Sequence, residues 1–336
     1  MKVKINEIRK TCENFLVSKC KMKKDIANII FADFLEGELL GKKTHGLAAF
    51  VSGVYDINRL KNSSDPKKII IKKNQKAYAL IDGGKQAGQL VAQLAKKILI
   101  KKAKQFGIAM VGTYKTQAIL RPGSQAEEIA KHNLIGIVFH NGGAPLVAPF
   151  GGIDPVISTD PIGFAIPTTC EPIVADMAIS VKAWREVEFS KLLNKNLPLN
   201  SFLDKKGNIA TDPDKAYSAL PFGDYKGYIL GILFEILTGS LVNSGFGIKN
   251  FLNKKWKQRG ALYLAIDPSK FVNLNKFKKE NTQLIKELKK SRKRTTIKEI
   301  LIPGERAYKN KAKCLKRGWL DVDKTVMEKI NKLCLN

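Results

Sequence analysis

The stretch from Leu90 to Val111 restricts the fold more than any other. Leu90, Val91, Leu94, Ile98 and Leu99 recur at helical spacing, and Lys96, Lys97, Lys101 and Lys102 fall mostly off that stripe. Gly107 supplies a helix stop, and Ile108 to Val111 follows as a run suited to a buried strand. A helix buried along one face and leading directly into a strand predicts an α/β architecture. Strands are also expected at Ala77–Ile81, Leu134–Phe139, Pro172–Asp176 and Leu262–Ile266. The first seventy residues read as helical, with one stripe through Ile5, Ile8, Cys12, Phe15 and Leu16 and another through Ile26, Ile29, Ile30 and Phe34. Lys61–Pro66 reads as a loop, and Ser124-Gln125-Ala126-Glu127 as a capping box opening a further helix. Tyr225–Leu241 is predicted as a long apolar helix central to its domain, Asn281–Lys290 as a basic helix and Val326–Leu335 as the closing helix.

A mixed α/β chain raises the question of a nucleotide fold, and the usual fingerprint is missing. No G-x-G-x-x-G joins a strand to a helix; Gly83-Gly84 followed by Gly88 has the wrong spacing. A P-loop is absent too. Length is compatible with about two domains of ~150 residues.

The charge is unusual: 59 Lys+Arg against 30 Asp+Glu, a net +29. Basic residues are spread along the chain, and the densest run, Lys286–Arg294, has no aromatic interleaved for base stacking. A solvated surface is expected there, not a specific nucleic-acid site. The five cysteines are widely spaced with no CxxC, which predicts reduced thiols and a cytoplasmic protein. No secretory leader is read at the N-terminus. The most apolar stretch, Tyr228–Leu237, is broken by Glu235 and falls short of the ~20 residues of a membrane span.

Candidate chemistry is sparse. His45, His132 and His140 make no zinc motif with these cysteines, so no metal is expected. His45 stands in the short polar turn Thr44-His45-Gly46, where an imidazole could donate a proton near neutral pH. His132, at a helix end, is explained by the helix dipole. His140 ends a strand just before a glycine-rich loop. Lys226 opens the long apolar helix, either as an anion site or as a solvated first-turn lysine.

These sites fall in the order of a known family. Thr44-His45-Gly46, Asp82-Gly83 to Gly88, Ala103-Lys104-Gln105-Phe106-Gly107-Ile108, Leu134–Ile137 and Pro145–Gly152 resemble motifs of the malate/L-lactate dehydrogenases. So do Thr159–Pro167, Asp176-Met177-Ala178-Ile179-Ser180, Tyr225–Tyr228, Ala265–Pro268 and Leu301–Glu305. The resemblance covers nearly the whole chain. It implies a non-Rossmann α/β fold, with a helical domain plus a mixed α/β cofactor-binding domain. The expected division is 1–118 with 300–336 as the helical substrate and dimerisation domain, and 119–299 as the cofactor domain. It also implies a homodimer or larger homo-oligomer, and hydride transfer between NADH or NADPH (NAD or NADP when oxidised) and a 2-oxo acid or a related imine. The matched motifs would place Asp176, Met177, Ala178, Ile179, Ser180, Tyr225, Lys226, Gly304, Glu305 and Arg306 at the cofactor.

Two departures fall on the chemistry. Counting without gaps puts Ala118 at the family's acid/base histidine and Ala49 at its carboxylate-gripping arginine. Asp160 also replaces the asparagine of T-N-P. The expectation is an active enzyme in which His45 supplies the proton and Lys115 or His140 holds the substrate. Substrate preference is then expected to move towards an imine or a larger keto sugar acid. The alternative is a catalytically impaired cofactor-binding paralogue with a structural or regulatory role.

Overall fold

The protein is described by a computed structural model covering residues 1–52, 61–248 and 258–334. The two stripes of the N-terminal region become α1 (Ile5–Ser18) and α2 (Lys24–Leu39), which bury Ile8, Phe15 and Leu16 against Ile30, Phe31 and Phe34. The short α3 (Leu47–Val51) drives Phe50 into this contact. Its ring meets Phe15, Phe31 and Phe34 edge-on, with centroids 6.3, 5.3 and 5.4 Å apart. The two ends of the chain close the unit. β1 (Lys2–Lys4) pairs antiparallel with β11 (Trp319–Asp321), and α10 (Lys324–Cys334) adds Val326, Met327 and Ile330 to the same core.

The second unit is a seven-stranded sheet in the order β2-β3-β4-β10-β5-β6-β7. The strands are β2 (Ile70–Asn74), β3 (Tyr78–Asp82), β4 (Ile108–Thr116), β5 (Ile135–His140), β6 (Ile162–Ile166), β7 (Ile173–Met177) and β10 (Arg259–Ile266). Only β3 and β4 run parallel; every other neighbouring pair is antiparallel. This is not the parallel, doubly wound sheet of a Rossmann domain. The predicted helix is α4 (Gly88–Phe106), ended by Gly107 at φ 86°, and with α5 (Pro122–Ala130) it covers one face over Ile81, Leu99, Val111, Ile129, Val138 and Tyr263. The expected domain boundary at residue 118 cuts through this sheet. β4 lies before it and β10 after it, and they pair from Ile108↔Ile266 to Thr113↔Ala261. Residues 70–116 therefore belong with the sheet.

A smaller core of Val147, Ile179, Phe202, Ala219 and Phe234 lies beneath α6 (Arg185–Leu193) and α7 (Tyr225–Glu235), beside the short β8 (Phe202–Leu203) and β9 (Ser218–Ala219). α7 is not the central helix its composition predicts. It ends at Glu235, continues as a π-helical turn over Ile236–Ser240, and leaves Ile229, Ile232, Leu233 and Ile236 exposed. Its buried side is Gly227, Gly231, Phe234 and Glu235. The capping-box reading also fails, because Pro122 takes the first helical position of α5 and Arg121 precedes it as the cap residue. The Ser124 hydroxyl instead donates to the Arg121 carbonyl at 2.8 Å. The basic run begins in the last turn of α8 (Leu274–Lys290), which buries no residue, and continues exposed beyond the helix end. Among the described residues no helix is long and apolar enough to cross a membrane.

Candidate active site

His45 ends a single 3-10 turn, Lys43–His45, pressed against α2. Two glycines make that approach possible. A Cβ on Gly46 would stand 2.3 Å from Glu38 Oε2, and one on Gly37 would stand 2.5 Å from the His45 carbonyl oxygen. Glu38 Oε2 accepts from the Leu47 amide at 3.1 Å and ties the turn to the start of α3. Thr44 Oγ1 lies 3.0 Å from His45 Nδ1. Burial pushes the imidazole down to about 3, helped by the positive charges of Arg185, Arg121 and Lys42. At neutral pH His45 is thus uncharged, a correction to the expectation of a donor titrating near neutrality. An imidazole held this low is a weak base; a nearby anion that offsets the surrounding positive charges raises it again, so that it can take up a proton and hold one to give.

Facing His45, β7 ends in Asp176 and Met177. α5 sits directly on the strands here because a Cβ on Gly163 would meet the Gly123 amide nitrogen at 2.2 Å. The amide of Gly123, in the first turn of α5, donates to the Asp176 carboxyl. Burial still raises that carboxyl to about 6, against the pull of Arg121 and Lys42. Asp176 is therefore a group that titrates close to neutrality inside the cleft.

These residues share a cavity of about 700 Å³ with Lys42, Arg121, Thr159, Ser180, Phe189 and Phe222 on its walls. A second cavity of about 510 Å³ is lined by Val174, Leu301–Gly304 and Arg306. Gly41, Lys42, Arg121, Asp176 and Met177 border both, so the two form one groove. Gly304, at φ 91°, precedes α9 (Glu305–Arg317), whose open N-terminus faces the second cavity.

The groove brings together His45, Asp176, Met177, Ala178, Ser180, Gly304 and Arg306 from the residues expected in sequence. It does not include the rest. Ile179 is buried in the small core, its amide donating to the Thr159 carbonyl at 3.0 Å. Glu305 turns back to accept from the Ile302 amide at 3.1 Å and pairs with Lys289 at 2.5 Å. Tyr225 and Lys226 are exposed at the start of α7, outside the walls. Neither candidate substrate holder lines the cleft. Lys115 is paired with Asp82 at 3.2 Å, and His140 is buried with Nδ1 3.1 Å from the Gly260 carbonyl oxygen.

Ala49 and Ala118 are also off the cleft walls. Ala49 is buried beside Arg185 in a small pocket behind His45. The Ala118 carbonyl oxygen packs at the start of α4, 2.3 Å from where a Gly88 Cβ would stand. Asp160 is fully buried directly behind Thr159, and no side-chain donor meets its oxygens; the amides of Gly142 and of Asp160 itself are the donors turned towards it. The Glu235 carboxyl stands next to it. Burial and that neighbour hold Asp160 well above the usual carboxylate range, so a proton shared by the pair supplies the missing donor.

The sheet topology agrees with comparisons to known proteins. The family model for malate/L-lactate dehydrogenase matches residues 3–331. The chain belongs to the malate/L-lactate dehydrogenase family. It is 35% identical over 310 residues to the malate/(S)-sulfolactate dehydrogenase of Methanothermus fervidus, covering 90% of this chain and 89% of that one. The solved sulfolactate dehydrogenase of Methanocaldococcus jannaschii superposes with a TM-score of 0.86 at 31% identity, covering 100% of this chain and 97% of that one. Two further family members carry a cofactor in their names. One is the ureidoglycolate dehydrogenase (NAD(+)) of Escherichia coli, 26% identical over 91% of this chain and 88% of its own. The other is the (2R)-3-sulfolactate dehydrogenase (NADP(+)) of Chromohalobacter salexigens, 33% identical over 51% of this chain and 54% of its own. The non-Rossmann α/β fold expected from the family's motifs is the fold of this chain.

Sequence reasoning missed Lys42 and Arg121. A signal for Arg121 was present: a lone arginine in Ile119-Leu120-Arg121-Pro122-Gly123, an otherwise apolar stretch running into a proline that starts a helix.

Proposed function

We propose that the protein is an NAD(P)-dependent dehydrogenase that interconverts a 2-oxo acid and its 2-hydroxy acid, and that its substrate carries a second negative group. The carrying observation is electrostatic. Lys42, Arg121 and Arg185 all act on His45, Lys43 and Lys182 also line its cavity, and of the two carboxyls there, Asp176 and Glu186, burial raises Asp176 to about 6. Such a site favours a dianion over a monoanion.

A dinucleotide fits the groove on its own features. Two connected cavities give the length, and Gly304 with the open N-terminus of α9 and Arg306 gives a place for phosphate. When bound, the nicotinamide supplies the hydride acceptor or donor. The chain's residues do the rest. In oxidation, the neutral His45 takes the hydroxyl proton while the cations hold the acid groups. In reduction, the incoming anion offsets the charges of Arg121 and Arg185, so that His45 can carry the proton it gives to the carbonyl oxygen. Leu120, Met177, Phe189 and Phe222 wall the cavity and limit water.

Titration with NADH and NADPH, followed by nicotinamide fluorescence, should show saturable binding of at least one. With that cofactor, oxaloacetate and sulfopyruvate should be reduced with kcat/KM at least about tenfold above pyruvate, one extra ion contact being worth roughly 1.5–3 kcal/mol. Equal rates for pyruvate would sink the dianion reading. Cofactor binding with no reduction of any acid would favour the impaired paralogue, which the alanines at 49 and 118 otherwise support.

The exposed row Ile229, Ile232, Leu233 and Ile236 on and just beyond α7, spaced as one helix face, supports a second copy of this chain as partner. Light scattering should give twice the chain mass, 37.3 kDa per copy. A monomer at micromolar concentration would rule this out.

A further inference from the structure

We infer that Arg121 grips the carboxylate of the 2-oxo acid, in place of the arginine that Ala49 cannot supply. The inference rests on the dehydrogenase reading above and names the residue that gives it an anionic substrate.

Arg121 is 3% exposed yet lines the cavity that holds His45. A guanidinium so buried needs acceptors for five N–H groups. Asp33 on α2 supplies them on one side only: Nη2 donates to Asp33 Oδ1 at 3.0 Å and to the Asp33 carbonyl oxygen at 3.2 Å. Nε is buried with no acceptor. Among the described residues no hydrogen bond is made by Nη1 either. Nη2 is thereby committed to Asp33 and Nε is walled in, so Nη1 is the charged donor left for an anion entering the cleft, on a side chain already held in place.

Its placement has a local cause. Arg121 is the cap residue of α5, and Pro122 fixes the helix start behind it. The preceding Leu120 is held at φ 58°, a conformation costly for a leucine, and both residues face the cleft. The strain falls at Leu120, and Arg121 beside it is extended. Arg185, the other arginine near His45, lies in the separate small pocket with Ala49 and Glu188 and does not line the cleft.

Removing Arg121 alone would strand the buried Asp33 carboxyl, so the test uses the Asp33→Asn/Arg121→Gln double variant and, separately, Arg121→Lys. Arg185→Gln is the comparison. Oxalate, a rigid mimic of the 2-oxo acid, is titrated into protein saturated with NADH or NADPH, whichever binds. Wild type should bind oxalate at millimolar concentration or better. The double variant should lose roughly 30- to 100-fold in oxalate affinity, Arg121→Lys somewhat less, and Arg185→Gln only a few-fold, as expected for loss of a charge-assisted contact. Cofactor affinity should stay within about threefold in all three, since the proposed clamp acts on the acid alone. Three results overturn the inference: oxalate affinity unchanged in the double variant, a larger loss in Arg185→Gln, or a parallel loss of cofactor binding, which would assign Arg121 to the cofactor. Failure of wild type to bind oxalate while binding cofactor overturns it too. Failure to bind either cofactor removes the dehydrogenase reading itself, an outcome read before oxalate is added.

Discussion

Replacement of His45 by alanine is expected to lower turnover by about 10²–10⁴-fold, the usual contribution of a positioned proton-transfer group, with cofactor affinity nearly unchanged. The effect should be largest for kcat and visible in both directions. The pH profile carries the sign. In the free protein burial holds His45 down to about 3. For oxidation the neutral form is the competent one, so kcat/KM should be flat through neutrality as far as this group is concerned. For reduction the protonated form is needed, so kcat/KM should fall about tenfold per pH unit through the same range. Asp176, raised by burial to about 6, would add a limb near that value if it shares the proton. Unchanged turnover in His45→Ala together with a large loss in Asp176→Asn would transfer the role to the carboxyl.

The second large effect is a gain. Asp160→Asn is expected to stabilise the protein by about 2 kcal/mol or more at pH 7–8, read as a rise in melting temperature or denaturation midpoint. Asp160 is fully buried, no side-chain donor meets its oxygens and its neighbour is the Glu235 carboxyl. Glu235 is already committed, accepting from Asn141 Nδ2 at 2.7 Å, the Ser158 amide at 2.8 Å and the Gly247 amide at 3.2 Å. An asparagine at 160 would bring the missing N–H and no charge. The sign follows from the raised carboxyl of Asp160. Folding must keep a proton that the unfolded chain releases above its ordinary carboxylate range, so the cost of the aspartate grows as pH rises. The gain from asparagine should therefore be greatest at pH 7–8 and shrink towards pH 4. A gain that does not vary with pH would show that charge is not the cause.

Much of the fold was legible because its signals are local. The stripe of α4, its stop at Gly107 and the strand after it follow from residues within one turn of each other. The family's motifs also carried His45, Asp176 and Gly304 to the same groove, because each sits at a turn or strand end whose backbone is tightly restricted. What was not legible depends on partners far away in sequence. Arg121 acquires its orientation from Asp33, 88 positions earlier. Lys115 and His140 look like free polar residues near loops until Asp82 and Gly260 take them up. The boundary at residue 118 failed for the same reason, since β10 enters the sheet beside β4 from the far side of the proposed division. α7 failed differently: composition reports how apolar a helix is, not whether its own chain covers it.

The pairing of β1 with β11 sets an order of events during synthesis. β1 is made well before β11, and the Met1 carbonyl oxygen waits for the Val322 amide. α1 and α2 must therefore persist as an incomplete bundle, with Ile8, Cys12 and Phe15 lacking the cover of α10, while the whole sheet is translated. At elongation rates of roughly 5–20 residues per second, that interval lasts many seconds. The sheet unit has time to finish first. A chain lacking β11 and α10 should keep a sound sheet and an unsealed helical unit, open to proteases at α1 and α2.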